Sequence, residues 1–301
     1  MSFFAVVARL AFGTRSSTDR PLLRAAPAKA GTKSASVPSE RDPDRHELKY
    51  WVPEERVEEV IRFISEYVEP DPHGANGQIN TSLYFDTPDL RFFRTHMESS
   101  PDRRKLRIRA YGDPPVGLAF FETKRKVKAV TVKTRASVPM EQMSALLDGS
   151  YDELPQMKPS ARRHLDDFLF TRTVLQAEPL VLVRANRRAF ASPDPADDIR
   201  VTFDSSICFQ RARGPSFECD ANGWIPIDGQ QQHGRPGGAH VLLELKFPRI
   251  APSWMRPLTE EMGVPRIAYS KYMSAVRILL DEQTMDRSLL DRCAPASPDE
   301  D

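Results

Sequence analysis

Apolar and polar side chains alternate with period two in segment after segment of this chain, the pattern of strands with two unlike faces. The run Arg104-Lys105-Leu106-Arg107-Ile108-Arg109-Ala110-Tyr111-Gly112 is the clearest case. Leu106, Ile108 and Ala110 share one face, and Lys105, Arg107, Arg109 and Tyr111 share the other. Cations set side by side repel unless an anion lies between them. Such a face is either open to solvent or grips something polyanionic.

The same alternation predicts further strands. Residues 46–52 put Glu47, Lys49 and Trp51 together, and 79–86 pair Tyr84 with Asp86. Residues 119–126 align Glu122, Lys124 and Lys126; 130–138 set Lys133 and Arg135 opposite Val130, Val132, Thr134 and Ala136. Residues 180–190 carry Arg184, Arg187 and Arg188, 199–209 align Arg200, Thr202 and Asp204, and 241–247 align Leu242, Glu244 and Lys246. Helical spacing appears after Pro53, with Val57, Val60, Ile61 and Ile64 in a helix running to about Val68. Shorter helices are predicted over Leu90–His96, near Met140–Leu147 and over Ser160–Leu175. A last one, from Ser270 to about Glu282, buries Met273, Val276, Leu279 and Leu280. Residues 210–239, with several glycines and three consecutive glutamines, read as a long hairpin or a flexible excursion.

Strands that are polar inside and apolar outside cannot pack a filled barrel. The predicted fold is therefore α+β, an antiparallel eight-stranded β-tunnel: a closed barrel with a charged lumen, its apolar outside covered by helices. The expected organisation is an N-terminal arm over 1–44, a tunnel domain over 45–284 and an acidic tail over 285–301.

Charge supports an inward arrangement of the cations. The chain carries 43 basic and 42 acidic residues, but six of the basic ones and only one acid fall in 1–39. The remainder is slightly acidic, whereas a nucleic-acid binder more often shows a basic surface stripe. The basic run from Lys124 to Lys133 is needed for strand pairing, so no nucleic acid is expected as a partner. Cys208, Cys219 and Cys293 are too few and scattered for a disulfide framework or a zinc site, and a reducing compartment fits. None of the six histidines stands at metal-ligand spacing. No apolar run approaches the ~18–20 residues that cross a bilayer. The first 39 residues, rich in Arg and Ser and nearly free of acids, resemble either an organellar transit peptide or a disordered basic arm. The expected location is the cytoplasm, with organellar targeting as the alternative, and any membrane or protein partner is left open.

Lys49, Arg107, Arg109, Lys124, Lys133, Arg187, Arg200 and Lys271 are the cations expected in the lumen. Two like charges ~5 Å apart repel by roughly 3 kcal/mol at an effective dielectric near 20. A cavity holding them all needs a dense polyanion, and triphosphate or polyphosphate fits best because each phosphoryl oxygen takes a charge-assisted bond. Phosphoryl transfer also calls for a divalent ion, Mn or Mg, on hard oxygen ligands. Glu244, an acid at the centre of an apolar strand, is the leading ligand candidate; the alternative is that it only salt-bridges Lys246 or a lumen arginine. Glu47 and Glu122 could assist, but each pairs as readily with Lys49 or Lys124.

Leu48-Lys49-Tyr50-Trp51-Val52, Ser82-Leu83-Tyr84-Phe85-Asp86-Thr87, Lys105-Leu106-Arg107-Ile108-Arg109, Glu122-Thr123-Lys124, Asn186-Arg187-Arg188-Ala189-Phe190, Leu243-Glu244-Leu245-Lys246 and Tyr269-Ser270-Lys271-Tyr272 occur in that order. Together they resemble the VTC domain, the polyphosphate polymerase module among the triphosphate tunnel metalloenzymes, over roughly residues 45–282. The resemblance implies an eight-stranded tunnel that moves the terminal phosphoryl group of ATP onto a growing polyphosphate chain and releases ADP. It implies a catalytic set of Lys49, Arg107, Arg109 and Lys124, phosphate binding by Lys133, Arg187, Arg200, Ser270 and Lys271, and a metal on Glu244. Strict alternation sets Arg187 opposite Arg184 and Arg188, so a bulge is expected at Arg187. Two other readings compete: a triphosphatase or nucleoside triphosphatase in the same tunnel, and a non-catalytic polyphosphate-binding module.

Overall fold

The computed structural model describes residues 46–72, 74, 76–128, 130–150, 156–227 and 239–281. The expected basic arm (1–44), the acidic tail (285–301) and the central part of the 210–239 excursion lie outside the described residues.

The elements follow as β1 (His46–Pro53), α1 (Val57–Ile64), β2 (Glu69–Pro70), β3 (Gln78–Asp86), α2 (Arg91–Met97), β4 (Asp102–Gly112), β5 (Pro115–Val127) and β6 (Val130–Pro139). Then come α3 (Met143–Leu147), α4 (Pro159–Val174), β7 (Glu178–Ala191), β8 (Arg200–Arg211), β9 (Ile225–Pro226), β10 (His240–Phe247), α5 (Met255–Met262) and α6 (Lys271–Asp281). Each predicted strand falls on one of these, with β8 starting one residue after the expected Ile199, and every strand pair is antiparallel.

All ten strands form one sheet, ordered β1-β10-β8-β7-β3-β4-β5-β6, with β2 on the end of β7 and β9 on β8. This corrects the expected closed barrel of eight. The sheet is open, and β1 and β6 end it without pairing to each other. The reason is visible at β1. Its free edge is taken by the segment before α6: Ile267 N donates to Lys49 O at 2.9 Å, and Tyr50 bridges to Arg266. The sheet nevertheless curls: the segment that pairs with Lys49 of β1 through Ile267 reaches Lys105 of β4 through Ser270, three residues further on.

The convex face carries the apolar halves of the alternation. On one side α1 packs Val57, Val60, Ile61 and Ile64 against Val201, Phe203, Leu243 and Leu245, with α5 adding Met255 and Leu258. The spacing i, i+3, i+4, i+7 makes one stripe of α1, and burying each such side chain is worth about 1.5–3 kcal/mol. The helix stops at Ile64, short of the expected Val68; Ser65 Oγ donates to the Ile61 carbonyl at 2.7 Å, a bond that competes with further helix. On the other side α4 opens with Pro159 at its first position and drives Leu165, Phe168 and Leu169 onto β3, β4 and β5. Phe168 meets Phe85 and Phe121 edge-on, with centroids 5.7 and 5.0 Å away.

The concave face is not wholly polar, which is a second correction. Trp51, Tyr84, Val181, Val183, Ala185 and Leu242 form a core with Tyr272, Ala275 and Val276 of α6. The last helix therefore sits in the hollow rather than on the outside. Its buried stripe begins one residue after Lys271, so Lys271 is carried into the sheet's polar half.

Candidate active site

Register across the sheet puts the charged residues in rows. Lys49 faces Glu244, which faces Thr202; Glu47 faces Lys246, which faces Arg200. Arg187 faces Asp204. Further round, Tyr84 faces Arg107, Arg107 faces Glu122, and Glu122 faces Arg135. Beside that row Lys105 faces Lys124, and Lys124 faces Lys133.

Arg187 reaches the concave face, but not by a bulge in its own strand. It continues the Val181, Val183, Ala185 series that faces β3, while Arg184 and Arg188 point outward to Trp224 and Glu58. The irregularity lies opposite, in β8, where Ser206 adopts a φ of 49° and the register slips between Arg184 and Asn186. That extra residue lets Ile207 and Phe209 share the concave side with Asp204, Thr202 and Arg200.

Glu244 is buried at the centre of the first cluster. Lys49 Nζ lies 3.1 Å from its Oε1 and Lys246 Nζ 2.7 Å from its Oε2, with Arg187 at 3.7 Å and Lys271 at 3.8 Å. Burial alone would raise its carboxyl; Lys246, Lys271, Lys49 and Arg187 outweigh burial and hold it well below the ordinary range. Lys49 also pairs with Glu47 at 3.0 Å and donates to the Tyr269 carbonyl at 3.0 Å. Asp204, fully buried, accepts both Nε (2.5 Å) and Nη2 (2.6 Å) of Arg187 and stands 2.5 Å from Lys271 Nζ. Burial opposes its ionisation, and Arg187 and Lys271 override it. This cluster is close to balanced: Glu47, Asp204 and Glu244 stand against Lys49, Arg187, Lys246 and Lys271.

Balance is lost toward β4–β6. Glu122 is a single carboxylate among three guanidinium groups. Arg107 donates to it through Nε at 2.7 Å, Arg135 stands at 3.5 Å and Arg109 at 3.7 Å. Burial raises the Glu122 carboxyl, but Arg107, Arg109 and Arg135 bring it down to about 2. Arg107 Nη1 also donates to Tyr84 Oη at 2.9 Å. Arg109 Nε is buried with no hydrogen-bond partner among the described residues. The lysine row beyond contains no carboxylate; Lys105 Nζ donates to Ser270 Oγ at 2.8 Å, at the start of α6.

Most of the expected residues are thus brought together. Lys49, Arg187, Lys271 and Glu244 meet in one cluster, Arg107 and Arg109 in the second, and Lys124, Lys133 and Ser270 lie along the third. Arg200 stands apart: its guanidinium pairs with Asp71 and, among the described residues, makes no contact with Glu244. Sequence reasoning left out Asp204, Lys246 and Lys105. All three share a face with residues it chose: Lys246 and Lys105 stand two positions from Glu244 and Arg107, and Asp204 four from Arg200, and that shared face was the available signal.

A divalent ion would find hard oxygen donors here in Glu244, Glu47 and Asp204, each already answered by cations. No group of three His, Cys, Asp or Glu side chains able to hold an ion by itself occurs among the described residues. The donor set suits an ion that keeps one carboxylate and takes its other ligands from phosphate oxygens, the usual habit of Mg.

The chain belongs to the VTC domain family, which it matches over residues 44–280. It is 24% identical over 271 residues to vacuolar transporter chaperone complex subunit 4 of Schizosaccharomyces pombe, a match covering 78% of this chain and 37% of that protein. The chain thus spans well under half of that relative's length. Among solved structures it is similar to a candidate adenylate cyclase of Bacillus halodurans (13% identity, TM-score 0.42, 75% of this chain and 95% of the other). A second, from Vibrio parahaemolyticus, has 12% identity and a TM-score of 0.41 over 78% and 98%. Among the described residues no helix is long and apolar enough to cross a membrane.

Proposed function

We propose that this chain is a polyphosphate polymerase that transfers the terminal phosphoryl group of ATP to the end of a polyphosphate chain held on the concave face. The observation that carries this reading is the excess of cations over carboxylates from Arg107 to Lys133, on a face that three independent rows of the sheet build together. A chain of linked phosphates offers the charge density those rows lack. Cations on β1, β4, β5, β6, β7 and β10 suit an anion that continues beyond the phosphates of one nucleotide. Membership of the VTC domain family agrees with the resemblance from which this substrate class was expected.

In this reading an oxygen of the chain's terminal phosphate attacks the γ-phosphorus of ATP, and the bond from that phosphorus to the β,γ-bridging oxygen breaks to release ADP. Arg107, Arg109, Lys49 and Lys124 neutralise the equatorial oxygens while Arg187 and Lys271 hold the neighbouring phosphates. Arg187 and Lys271 are fixed in turn by Asp204. Lys133 and Ser270 extend the grip along the chain, and Arg200 joins only by leaving Asp71. Glu244 would hold Mn or Mg, which when bound would supply positive charge against the negative charge that develops during transfer.

Incubation with ATP and Mn, followed by gel sizing of the product and measurement of ADP, tests the proposal. Phosphate chains appearing with ADP support it. Free phosphate without chains indicates a triphosphatase, and binding of polyphosphate without ADP release indicates a non-catalytic module.

A further inference from the structure

Unlike Lys49, Arg107, Arg187 and Lys271, Lys105 has no carboxylate partner among the described residues. Among the described residues its one hydrogen bond is the 2.8 Å donation to Ser270 Oγ, and it makes no ion pair. The groups that act on it most strongly are positive or neutral: Lys124 from β5, itself lowered by burial, Lys49 from β1, Arg103 and Arg107 from its own strand, His96 from α2 and Ser270 from α6. The acids Glu47 and Glu244 are taken up by Lys49 and act on Lys124. Lys124 stands directly across the ladder from it. A half-buried ammonium in such company is stable only beside an anion.

We propose that Lys105 joins Lys124 and Ser270 in one phosphate subsite of that grip, and that filling it loads a proton onto Lys105. This rests on the polyphosphate reading and adds to it a binding residue and a linkage. Ser270 Oγ accepts from Met273 N at 3.4 Å as well as from Lys105. A phosphate arriving at the start of α6 therefore meets a hydroxyl, two ammonium groups and the positive end of a helix of 11 residues. His96 on α2 turns its Nδ1 to the Phe92 carbonyl at 2.9 Å and is pushed down to about 4 by burial and then by Lys105, so it stays neutral when Lys105 charges.

The protonation follows from the same geometry. Burial first, then Lys124, Lys49, Arg107 and Arg103, bring the Lys105 ammonium down to about 7. Near pH 8 the amine is mostly neutral; a bound phosphate replaces repulsion by attraction and raises it, so a proton is taken from solvent. Near pH 6 the group is charged beforehand and no uptake follows.

The test is calorimetric titration of the protein with tripolyphosphate, free of divalent ions, in buffers of different ionisation enthalpy at pH 8 and pH 6. The wild type is compared with Lys105→Arg and Lys105→Met, and the Lys105→Arg protein supplies the baseline for protons exchanged by tripolyphosphate itself. Expected are an uptake at pH 8, measured above that baseline, that fades by pH 6 in the wild type, and retained binding without that uptake in Lys105→Arg. Binding should be about tenfold or more weaker in Lys105→Met, the scale of one charge-assisted hydrogen bond. Circular dichroism confirms that each variant is folded. Equal affinity and equal uptake in wild type and Lys105→Met overturn the subsite while the polyphosphate reading stands. Failure of the wild type to bind tripolyphosphate overturns both.

Discussion

Arg187 on β7 and Asp204 on β8 lie directly opposite each other and form a two-pronged ion pair, with Nε at 2.5 Å and Nη2 at 2.6 Å from the two carboxylate oxygens. Lys271 of α6 closes on the same carboxylate at 2.5 Å. One buried acid thus fixes two phosphate-binding candidates and ties the last helix to the sheet.

Asp204→Asn should therefore cost about 3 kcal/mol of stability, because it leaves buried cations short of a counter-charge. Tripolyphosphate should restore more stability to this variant than it adds to the wild type, since the freed Arg187 and Lys271 gain an anion. Thermal unfolding with and without tripolyphosphate measures both effects. Equal ligand shifts in the two proteins would refute the assignment of these cations to phosphate.

Arg109→Ala is expected to weaken tripolyphosphate binding by roughly tenfold to a hundredfold, the worth of hydrogen bonds to a charged partner. Arg109 stands only 3.7 Å from Glu122 and has a buried Nε without a partner, so it has donors to spare. Unchanged affinity in calorimetry would remove Arg109 from the site.

Glu244→Gln should lower turnover at least about a hundredfold while changing tripolyphosphate affinity little, as expected when charge stabilisation in the transition state is lost. ADP release under saturating ATP and Mn reads the first effect, and direct titration the second. Full activity in the variant would show that the carboxylate serves only its lysines.

Acid should unfold the protein partly through Glu122. Its carboxyl sits near 2 in the fold against an ordinary 4.5, so its contribution is complete above 4.5 and disappears as pH falls through 2. The depression corresponds to a contribution on the order of 3 kcal/mol. Urea midpoints at pH 7, 4 and 3 should fall less steeply in Glu122→Gln, although that variant starts lower at pH 7 because three arginines lose their acid. Parallel slopes would contradict the assignment.

Asp86 is expected to couple α2 to α6. Its oxygens accept from Thr87 N (2.8 Å), Phe92 N (2.8 Å), Phe93 N (2.9 Å) and the Tyr272 hydroxyl. Asp86→Asn turns one acceptor into a donor and should cost about 1–3 kcal/mol. Hydrogen exchange should then quicken together in 91–97 and 271–281; quickening in α2 alone would limit the role to that helix.

Period-two alternation made the faces of the strands legible, because a wrong face would bury a row of charges or expose a row of Leu and Ile. Lys49, Arg107, Arg109 and Glu244 could be picked out for that reason. Closure of the sheet could not be read, since it depends on which segment covers the edge of β1, and the sequence near Arg266 and Ile267 carries no strand signature. The two-residue strands β2 and β9 are too short for periodicity to register. The bulge at Ser206 escaped because positive φ at a serine leaves no mark in the sequence. Its consequence was that Asp204 went unrecognised as the partner of Arg187. Helix α6 was predicted from its apolar stripe, but a stripe does not say which side of a sheet it will seat on.

The most direct test is a crystal structure of the protein with tripolyphosphate bound. The account requires the phosphates to lie on the concave face, within hydrogen-bonding distance of Arg107, Arg109, Lys124 and Lys271. Phosphates on the convex face, beside Arg184 or Arg188 and away from those four side chains, would contradict it.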